Sequence, residues 1–473
     1  FPELAITGYT CADLFHQPIL QRGAVEALEQ LTKESAAIFS GLAVVGLPLV
    51  VDDQVFNCAA ILYQGRLLGV VPKSFLPNYK EFYEERWFAP AVRARRDAIR
   101  LGDSAVPFGT HHLFAATDVE GLIIGVEICE DLWVPSPPSS AQAMAGATVL
   151  VNLSASNEVI GKASYRRQLV LNQSGRCMAA YVYASCGVGE STTDLVFGGH
   201  CLIAENGTML AESRRFQRED ALLSADIDLD RLRADRQRTN SFLDAHLYPT
   251  QGRDFTRSTF ALGEQPVPTD LRRPVEAHPF VPQGKEQLRD RCEEIFHIQV
   301  AGLAKRLEHI GTPPVAIGVS GGLDSTLALL VACKTLDTLG GARSRIQAFT
   351  LPGFGTSNRT RDNARALMRQ LGVSAREVDI RPLCLEEMRV LGHRPFSIDL
   401  TDLSVEELTD RLRRLTVEER HDLVFENVQA RMRTSLLMNS GFVIGTGDVS
   451  EAALGWSTYN GDHMSMYNPN SSI

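Results

Sequence analysis

The sequence lacks an excess of positive charge, long apolar runs and paired cysteines. Its 57 acidic and 47 basic residues give a formal net charge of -10, which disfavours binding to nucleic acid or to an anionic membrane surface. No apolar run approaches the roughly 18 residues of a membrane-spanning helix, and no signal peptide is visible. We therefore expect neither a nucleic-acid partner nor a membrane partner.

Cysteine usage and chain length bound the redox compartment and the number of domains. The nine cysteines are scattered, and no Cys-x-x-Cys pair occurs among them. A disulfide framework or a structural zinc site is therefore not expected, and a reducing cytoplasm fits best. The 473 residues exceed the roughly 250 to 300 at which a single core stops growing, so we expect two or three domains.

The first half of the chain alternates apolar, strand-like runs with helical stretches, which indicates an α/β sandwich over residues 1–250. Asn206-Gly207, between two short apolar runs, predicts a tight hairpin because both central residues of a type I′ turn need positive φ. Strands are predicted at residues 42–51, 58–63, 67–71, 122–126 and 147–153, and helices at residues 18–35 and 163–180.

A change of composition separates this half from the next. Residues 251–284 contain five prolines and no lasting periodicity, so we predict a domain linker there. Residues 285–473 then alternate strands and helices in short order. That order predicts a doubly wound parallel sheet, with a nucleotide at the carboxyl ends of its strands.

The most informative stretch of the second half is a strand that breaks at Ser320-Gly321-Gly322 and resumes as a helix. Paired glycines and the free N–H groups of a first helical turn favour a phosphate. A Walker A loop is excluded because Leu323 and Asp324 stand where a Lys is required. A glycine-rich turn without a ligand is the alternative. The block Ser-Gly-Gly-x-Asp-Ser resembles the pyrophosphate loop of N-type ATP pyrophosphatases.

Three residues of the first half are unremarkable singly. Cys129 follows an apolar strand and precedes an acidic turn, Lys73 lies at a strand end, and we expect Glu3 to end the first visible strand. A lone cysteine is more often a small buried hydrophobe, and a lone lysine is usually solvated. The three together, in Phe-Pro-Glu-Leu, Val-Pro-Lys-Ser and Glu-Ile-Cys-Glu-Asp, resemble the nitrilase superfamily. That resemblance implies Glu3 as base, Cys129 as nucleophile, and Lys73 with the N–H of Glu130 at the oxyanion.

A later block, residues 444–451 and 455–462, contains Gly-Thr-Gly-Asp followed by Trp456 and Tyr459. Acidic residues there are usually helix caps. However, we expect Asp324 and Glu451 both to lie near loops at strand ends, and two carboxylates with phosphate oxygens suit Mg²⁺. The two aromatic side chains suit a stacking platform for a planar ring.

Taken together, these blocks resemble glutamine-dependent NAD⁺ synthetases over nearly the whole chain. The resemblance implies a nitrilase-like αββα sandwich followed by an adenine nucleotide alpha hydrolase-like doubly wound sheet. It implies glutamine contacts from Tyr9, Tyr79, Glu130, Ser156 and Lys162. It implies ATP contacts from Gly318, Val319, Ser320, Gly321, Gly322, Leu323, Asp324, Ser325 and Thr446. It implies deamido-NAD⁺ contacts from Asn427, Glu451, Trp456, Ser457, Thr458 and Tyr459, and Mg²⁺ at Asp324 and Glu451.

The same resemblance implies two coupled reactions. Glutamine would form a thioester at Cys129 and release ammonia, and a protein tunnel would carry the ammonia to deamido-NAD⁺ adenylated by ATP. A homo-oligomer, a strand before Phe1 and further helices after Ile473 are also implied. Two rival interpretations are a GMP or asparagine synthetase type of amidotransferase, which carries a different glutaminase, and a non-catalytic metabolite-binding protein. The set of Glu3, Lys73 and Cys129 disfavours both.

Overall fold

The structure is a computed structural model, and it describes residues 1–192, 195–245, 254–263, 270–416, 421–461 and 463–473. The chain divides into two compact units, Phe1–Glu276 and Ala277–Ile473. Within the described residues, no helix combines the length and apolar character needed to cross a membrane. Residues 251–253 and 264–269 of the predicted linker lie outside the described residues.

The elements of the first unit are given in chain order. Its strands are β1 Leu42–Val51, β2 Gln54–Tyr63, β3 Arg66–Pro72, β4 Ala98–Leu101, β5 Ser104–Pro107, β6 His112–Ala116, β7 Ile123–Ile128, β8 Val149–Ser154, β9 Ala180–Ser185, β10 Leu202–Glu205, β11 Thr208–Glu212 and β12 Thr256–Phe260. Its helices are α1 Pro18–Ile38, α2 Pro138–Met144, α3 Lys162–Cys177, α4 Leu229–Arg238 and α5 Asn240–Ala245.

Two sheets form the centre of the first unit. One is the antiparallel meander β1-β2-β3, and the other has the order β11-β10-β9-β8-β7-β6-β12. Their facing side chains, such as Ile61 and Phe114, share one apolar cluster. Leu28 of α1 packs on the outer face of the first sheet, and Val170 of α3 packs on the outer face of the second. The predicted αββα sandwich is confirmed.

The predicted hairpin is present, and part of the predicted linker belongs to a sheet. Strands β10 and β11 pair with each other and are joined by a turn at Asn206 and Gly207, whose φ angles are 44° and 80°, as a type I′ turn requires. In the stretch predicted as a linker, however, β12 pairs in parallel with β6. His112 of β6 contacts Ser258 of β12 through Nε2 at 2.7 Å. Part of that stretch is therefore an edge strand of the first unit's sheet.

The second unit is built from four strands and seven helices among the described residues. Its strands are β13 Val315–Gly318, β14 Ile346–Thr350, β15 Ser374–Glu377 and β16 Phe442–Ile444. Its helices are α6 Lys285–His309, α7 Leu323–Thr338, α8 Asn358–Leu371, α9 Arg381–Val390, α10 Val405–Arg413, α11 Leu423–Met438 and α12 Val449–Leu454.

All four strands are parallel and have the order β15-β14-β13-β16. Helices α6, α7 and α8 pack in one apolar cluster on one face, and α9, α10 and α11 pack in another cluster on the opposite face. This confirms the doubly wound sheet. The strand order reverses between β13 and β16, and a crevice at such a reversal is where open α/β sheets bind ligands.

Candidate active site

The turn after β7 presents Cys129 in a constrained conformation. Cys129 has a φ of 46°, in the left-handed region that L-residues rarely adopt, and its side chain is only 6% exposed. Asn152 of the neighbouring strand β8 accepts the Cys129 N–H through Oδ1 at 3.1 Å. Asp131 accepts the N–H groups of Ile128 and Phe75 at 3.0 and 2.9 Å. The turn is therefore held from both sides.

A buried ion cluster contains the other two predicted catalytic residues. The Lys73 ammonium donates to Glu3 at 2.7 Å and to both carboxylate oxygens of Glu84 at 2.8 Å. Glu3 also accepts the Asn57 side-chain amide at 2.7 Å and the Ala155 N–H at 2.8 Å. The side chains of Lys73 and Glu3 have no solvent exposure. The structure thus brings Glu3 and Lys73 into direct contact.

Glu3 lies in a turn and does not end a strand, so that detail of the expectation is wrong. Residues 3–7 form turns, and Leu4 has a φ of 52°. The turn crosses β1 at Gly46, whose carbonyl accepts the Ile6 N–H at 3.0 Å. A Cβ on Gly46 would collide with the Leu4 backbone nitrogen. The glycine is therefore what allows the turn to approach the sheet.

Burial and charge shift the titration of this cluster. Burial raises the pKa of the Cys129 thiol well above its ordinary value, and the neighbouring Glu3 carboxylate raises it further. Burial also raises the pKa of Glu84 to about 7. Burial acts to lower the pKa of Lys73, but the carboxylates of Glu3 and Glu84 reverse that effect and raise it. An ammonium is thus held beside a thiol that stays protonated until a base takes its proton.

The candidate glutamine contacts fall into two groups: Lys162, whose ammonium lies over aromatic rings, and residues whose side chains are hydrogen-bonded to the protein. The Lys162 ammonium contacts Asn157 and lies over the rings of Phe82 and Trp133, at 5.1 and 5.2 Å from their centroids. Burial lowers its pKa. The two rings help to hold the ammonium in place, and its positive charge suits a negatively charged substrate group.

The other candidates are already bonded to neighbouring protein groups. The Tyr79 hydroxyl donates to Glu130 at 2.9 Å, and Tyr79 is half exposed. The Tyr9 hydroxyl is buried and donates to Glu84 at 2.7 Å, so Tyr9 belongs to the ion cluster. Ser156 is buried and its Oγ accepts from Arg166 at 3.1 and 3.2 Å. Arg166 therefore fixes the segment that follows β8.

Glu84, Asn57 and Asn152 belong to the site but were not predicted from the sequence. Glu84 lies in a short 3-10 turn, Glu84–Arg86, inside a charged stretch that has no periodicity. Its burial could not be read from the neighbouring residues, because Glu85 and Arg86 are exposed. Asn57 and Asn152 lie on strands, where period-2 alternation marks a side as buried but does not identify a polar partner.

In the second unit, the predicted phosphate loop links β13 to α7. Ser325 Oγ receives the Ser320 N–H at 3.3 Å and donates to the Gly322 carbonyl at 3.2 Å, which closes the loop on itself. Gly321 has a φ of 86°, and a Cβ there would collide with the Thr360 carbonyl oxygen at the start of α8. The loop therefore adopts a shape that only glycine permits, at the first turn of α7.

The candidate metal ligands lie in the first turns of two helices, Asp324 in α7 after β13 and Glu451 in α12 after β16. Asp324 is exposed, and the Glu451 carboxylate folds back over Gly447. In the part of the chain that the structure describes, no three or more His, Cys, Asp or Glu side chains gather as a metal cluster. Carboxylate oxygens are suitable Mg²⁺ donors, and Mg²⁺ commonly binds one or two carboxylates plus substrate phosphates, so the two residues fit that chemistry.

The candidate dinucleotide contacts form an open platform. Trp456 and Tyr459 are 81% and 77% exposed. Arg431 of α11 donates to the Tyr459 carbonyl at 3.2 Å, which ties this segment, including Ser457 and Thr458, to that helix. Asn427 lies one turn earlier on α11 and is half-buried. The ring faces are thus available for stacking beside polar groups of a helix.

Comparison with known proteins identifies both units. The carbon-nitrogen hydrolase family matches residues 1–237, and the NAD synthase family matches residues 295–472. The glutamine-dependent NAD(+) synthetase of Mycobacterium tuberculosis (strain ATCC 25618 / H37Rv) is 46% identical over 480 residues, which cover 100% of this chain and 68% of the relative. The chain belongs to the glutamine-dependent NAD⁺ synthetases.

More distant glutamine-dependent NAD⁺ synthetases also align over nearly the whole chain. The synthetase of Aquifex aeolicus (strain VF5) is 27% identical over 477 residues, which cover 99% of this chain and 72% of the relative. A solved structure of the synthetase from Acinetobacter baumannii in complex with adenosine diphosphate is 24% identical. It aligns over 100% of this chain and 72% of that chain, with a TM-score of 0.41.

Proposed function

We propose that the first unit hydrolyses glutamine at Cys129. Glu3 takes the thiol proton, the thiolate attacks the side-chain amide carbon, and Glu3 passes the proton to the amide nitrogen, so that the C–N bond breaks and ammonia leaves as the thioester forms. Water then attacks the thioester, which releases glutamate and restores the thiol. The observation that carries this proposal is the buried cluster in which Lys73 contacts both Glu3 and Glu84, whose charges act on the thiol of the constrained Cys129 turn.

The electrostatics of this cluster support the assigned roles. The thiol has a raised pKa, so its deprotonation needs a base at the site. The Lys73 ammonium and the N–H of Glu130 are the donors that we propose for the oxyanion, since a buried donor at the developing charge is worth far more than one in water. Lys162 and Tyr79 are proposed to hold the charged end of glutamine.

We propose that the second unit uses ATP to activate the nicotinate carboxylate of deamido-NAD⁺. The carboxylate attacks the α-phosphate, which forms an acyl-adenylate and releases pyrophosphate; ammonia then displaces AMP and gives the amide of NAD⁺. Residues 318–325 and Thr446 would hold the phosphates, with donors that include N–H groups in the first turn of α7. Asp324 and Glu451 would bind Mg²⁺, which neutralises phosphate charge when bound. Trp456 and Tyr459 would stack on a substrate ring.

The partners proposed for this chain are small molecules: glutamine at the site of the first unit, and ATP and deamido-NAD⁺ at the site of the second. The homo-oligomer, the ammonia tunnel and the cytoplasmic location stay predictions.

The decisive experiment separates the two nitrogen donors. Cys129→Ala is expected to abolish NAD⁺ formation with glutamine and to leave formation with ammonium salts unchanged, because only the first requires the thioester. Cys201→Ala, the same change at a half-buried cysteine of the same unit, is the control and should leave both reactions unchanged. Equal loss of both reactions in a folded Cys129→Ala protein would contradict the two-site scheme.

A second variant tests the phosphate loop. Asp324→Ala is expected to stop release of AMP and pyrophosphate with either nitrogen donor, since the carboxylate acts at a step common to both. Asp362→Ala changes an exposed aspartate on α8 of the same unit and serves as the control. Retained turnover in Asp324→Ala would remove the loop from the proposed mechanism.

A further inference from the structure

Asn470 lies at the reversal point of the second sheet, between the two loops that the proposed function assigns to ATP. Regular pairing between β13 and β16 ends at Ile317 and Ile444. Beyond these residues the two strands lead into separate loops. Asn470 is 1% exposed, and its Nδ2 donates to the Asp324 carbonyl at 2.9 Å and to the Thr446 carbonyl at 2.9 Å. One side-chain amide therefore joins both loops.

The orientation of this amide is set by its other contacts. Gln299 of α6 donates to Asn470 Oδ1 at 3.0 Å, so the oxygen faces the helix and the NH₂ group faces the loops. The Asn470 N–H donates to Asn468 Oδ1 at 3.0 Å, and Asn468 Nδ2 in turn donates to the Gly447 carbonyl at 2.9 Å. Both protons of the Asn470 amide are used, and its acceptor is satisfied.

We propose that Asn470 is a positioning residue for the ATP site: its side-chain amide fixes the spacing between the Asp324 carbonyl and the Thr446 carbonyl. The inference rests on the proposed function, because it assumes that these loops bind the nucleotide. Asn470 acts through backbone carbonyls and does not itself touch the reacting atoms. A site that must hold phosphates and a carboxylate in line loses much of its rate when one side moves by about 1 Å.

The chemistry of the amide makes the inference testable by an isosteric change. Asn470→Asp keeps the size and the oxygen that Gln299 contacts, but it replaces the two donated bonds with an oxygen facing two carbonyl oxygens. Asn470→Ala removes the bonds without adding charge. Gln299→Leu removes the support and leaves both donated bonds in place, so a smaller loss is expected.

The assay uses the full-length protein with ammonium salts as nitrogen donor, so the glutaminase site is not required. We expect Asn470→Asp and Asn470→Ala to raise the KM for ATP, or to lower kcat, by about tenfold or more. The KM for ammonia should stay near its original value. Asn439→Asp, at an exposed position after α11, is the matched control and should behave like the unsubstituted protein.

The readouts separate positioning from general stability. A purely structural role would lower the melting temperature of Asn470→Ala and Gln299→Leu alike and leave the KM for ATP unchanged in the folded fraction; that result would overturn the inference. Normal ATP kinetics in Asn470→Asp would overturn it as well.

If Asp324→Ala stops turnover while both Asn470 variants are normal, this inference alone fails. If Asp324→Ala retains turnover, the assignment of ATP to the loop fails first.

Discussion

The two candidate sites differ in how much of their chemistry is buried. Glu3 and Lys73 have no exposed side-chain surface, and every charge in their cluster has a partner. In the second unit Asp324, in the first turn of α7, and Trp456 and Tyr459, which follow α12, are exposed. A buried ion cluster cannot lose one member cheaply, whereas an exposed side chain can be removed with little effect on folding. Substitutions should therefore affect stability and chemistry together in the first site, but turnover or substrate binding with little change of stability at the exposed residues of the second.

The largest effect is expected from Lys73→Met. This change leaves the carboxylates of Glu3 and Glu84 buried beside each other without their shared cation. Breaking a buried pair in this way costs about 3–5 kcal/mol, so the first unit should unfold at much lower denaturant or temperature. Trp87 and Trp133 are the two tryptophans of the first unit, so a Trp456→Phe background makes fluorescence report on that unit.

The control for Lys73→Met is an ion pair at the surface. Arg86 contacts Asp13 at 2.7 Å, but both side chains are more than half exposed. Arg86→Met should leave the unfolding midpoint nearly unchanged, because exposed pairs contribute little. If both substitutions shift the midpoint equally, burial of the Lys73 cluster is not what distinguishes the first site.

The next effect comes from the two glycines that allow close approaches. Gly46→Ala should displace the turn that carries Glu3, because the new methyl group would collide with the Leu4 nitrogen. Glutamine-dependent NAD⁺ formation should fall by about 100-fold, with the ammonia reaction unchanged. Gly321→Ala should displace the phosphate loop from α8 and reduce both reactions by a similar factor.

Each glycine has a control that isolates the collision. Gly311 has a φ of 78°, but a Cβ at this position would have open space around it, so Gly311→Ala tests the backbone conformation without a clash. Gly23 of α1 also has open space and tests the methyl group in the first unit. Parallel losses in Gly311→Ala and Gly321→Ala would mean that φ strain, and not contact with α8, is responsible.

A pH effect distinguishes the two units further. Burial raises the pKa of Glu84 from 4.5 to about 7, so the folded state binds this proton more tightly than the unfolded state. The stabilisation from Glu84 is therefore complete below about pH 4.5 and is lost as the pH rises to about 7. We expect the free energy of unfolding of the unsubstituted protein, minus that of Glu84→Gln, to decrease across this range.

The measurement is denaturant unfolding at several pH values in the Trp456→Phe background. Other titrating groups, such as Asp131, remain in both proteins and cancel in the difference. Glu26→Gln, at an exposed position of α1, is the control and should give a difference that does not follow this profile. Parallel stability curves for Glu84→Gln and the unsubstituted protein would contradict the burial effect.

Much of the fold followed from local patterns, because those patterns carry their own physics. The limits of β1 and the Asn206-Gly207 turn were predicted from an apolar run and from turn chemistry. Strand β12 was missed because Thr-Arg-Ser-Thr-Phe has one apolar residue, Phe260, and lies among prolines. Its pairing with β6 is a tertiary contact that composition does not encode.

The residues of the candidate sites likewise divide into those that the sequence predicted and those that only the structure revealed. The residues Glu3, Lys73 and Cys129 were recognised because each lies in a short motif of a known family. Glu84 and Asn470 have no such motif near them, and their importance comes from what they contact: an ammonium in one case and two carbonyl oxygens in the other. Such partners are separated along the chain, so only the folded structure brings them together.

The smallest effect on folding is expected from Trp456→Ala. Because the side chain is mostly exposed, its removal should leave the melting temperature of the protein unchanged. If the ring stacks on deamido-NAD⁺, the KM for that substrate should rise about two- to tenfold, as expected for a loss of roughly 0.5–1.5 kcal/mol. Leu454→Ala removes an equally exposed side chain of α12 and should leave this KM unchanged. An unchanged KM in Trp456→Ala, or an equal rise in both variants, would mean that exposure there reflects ordinary surface and not a stacking platform.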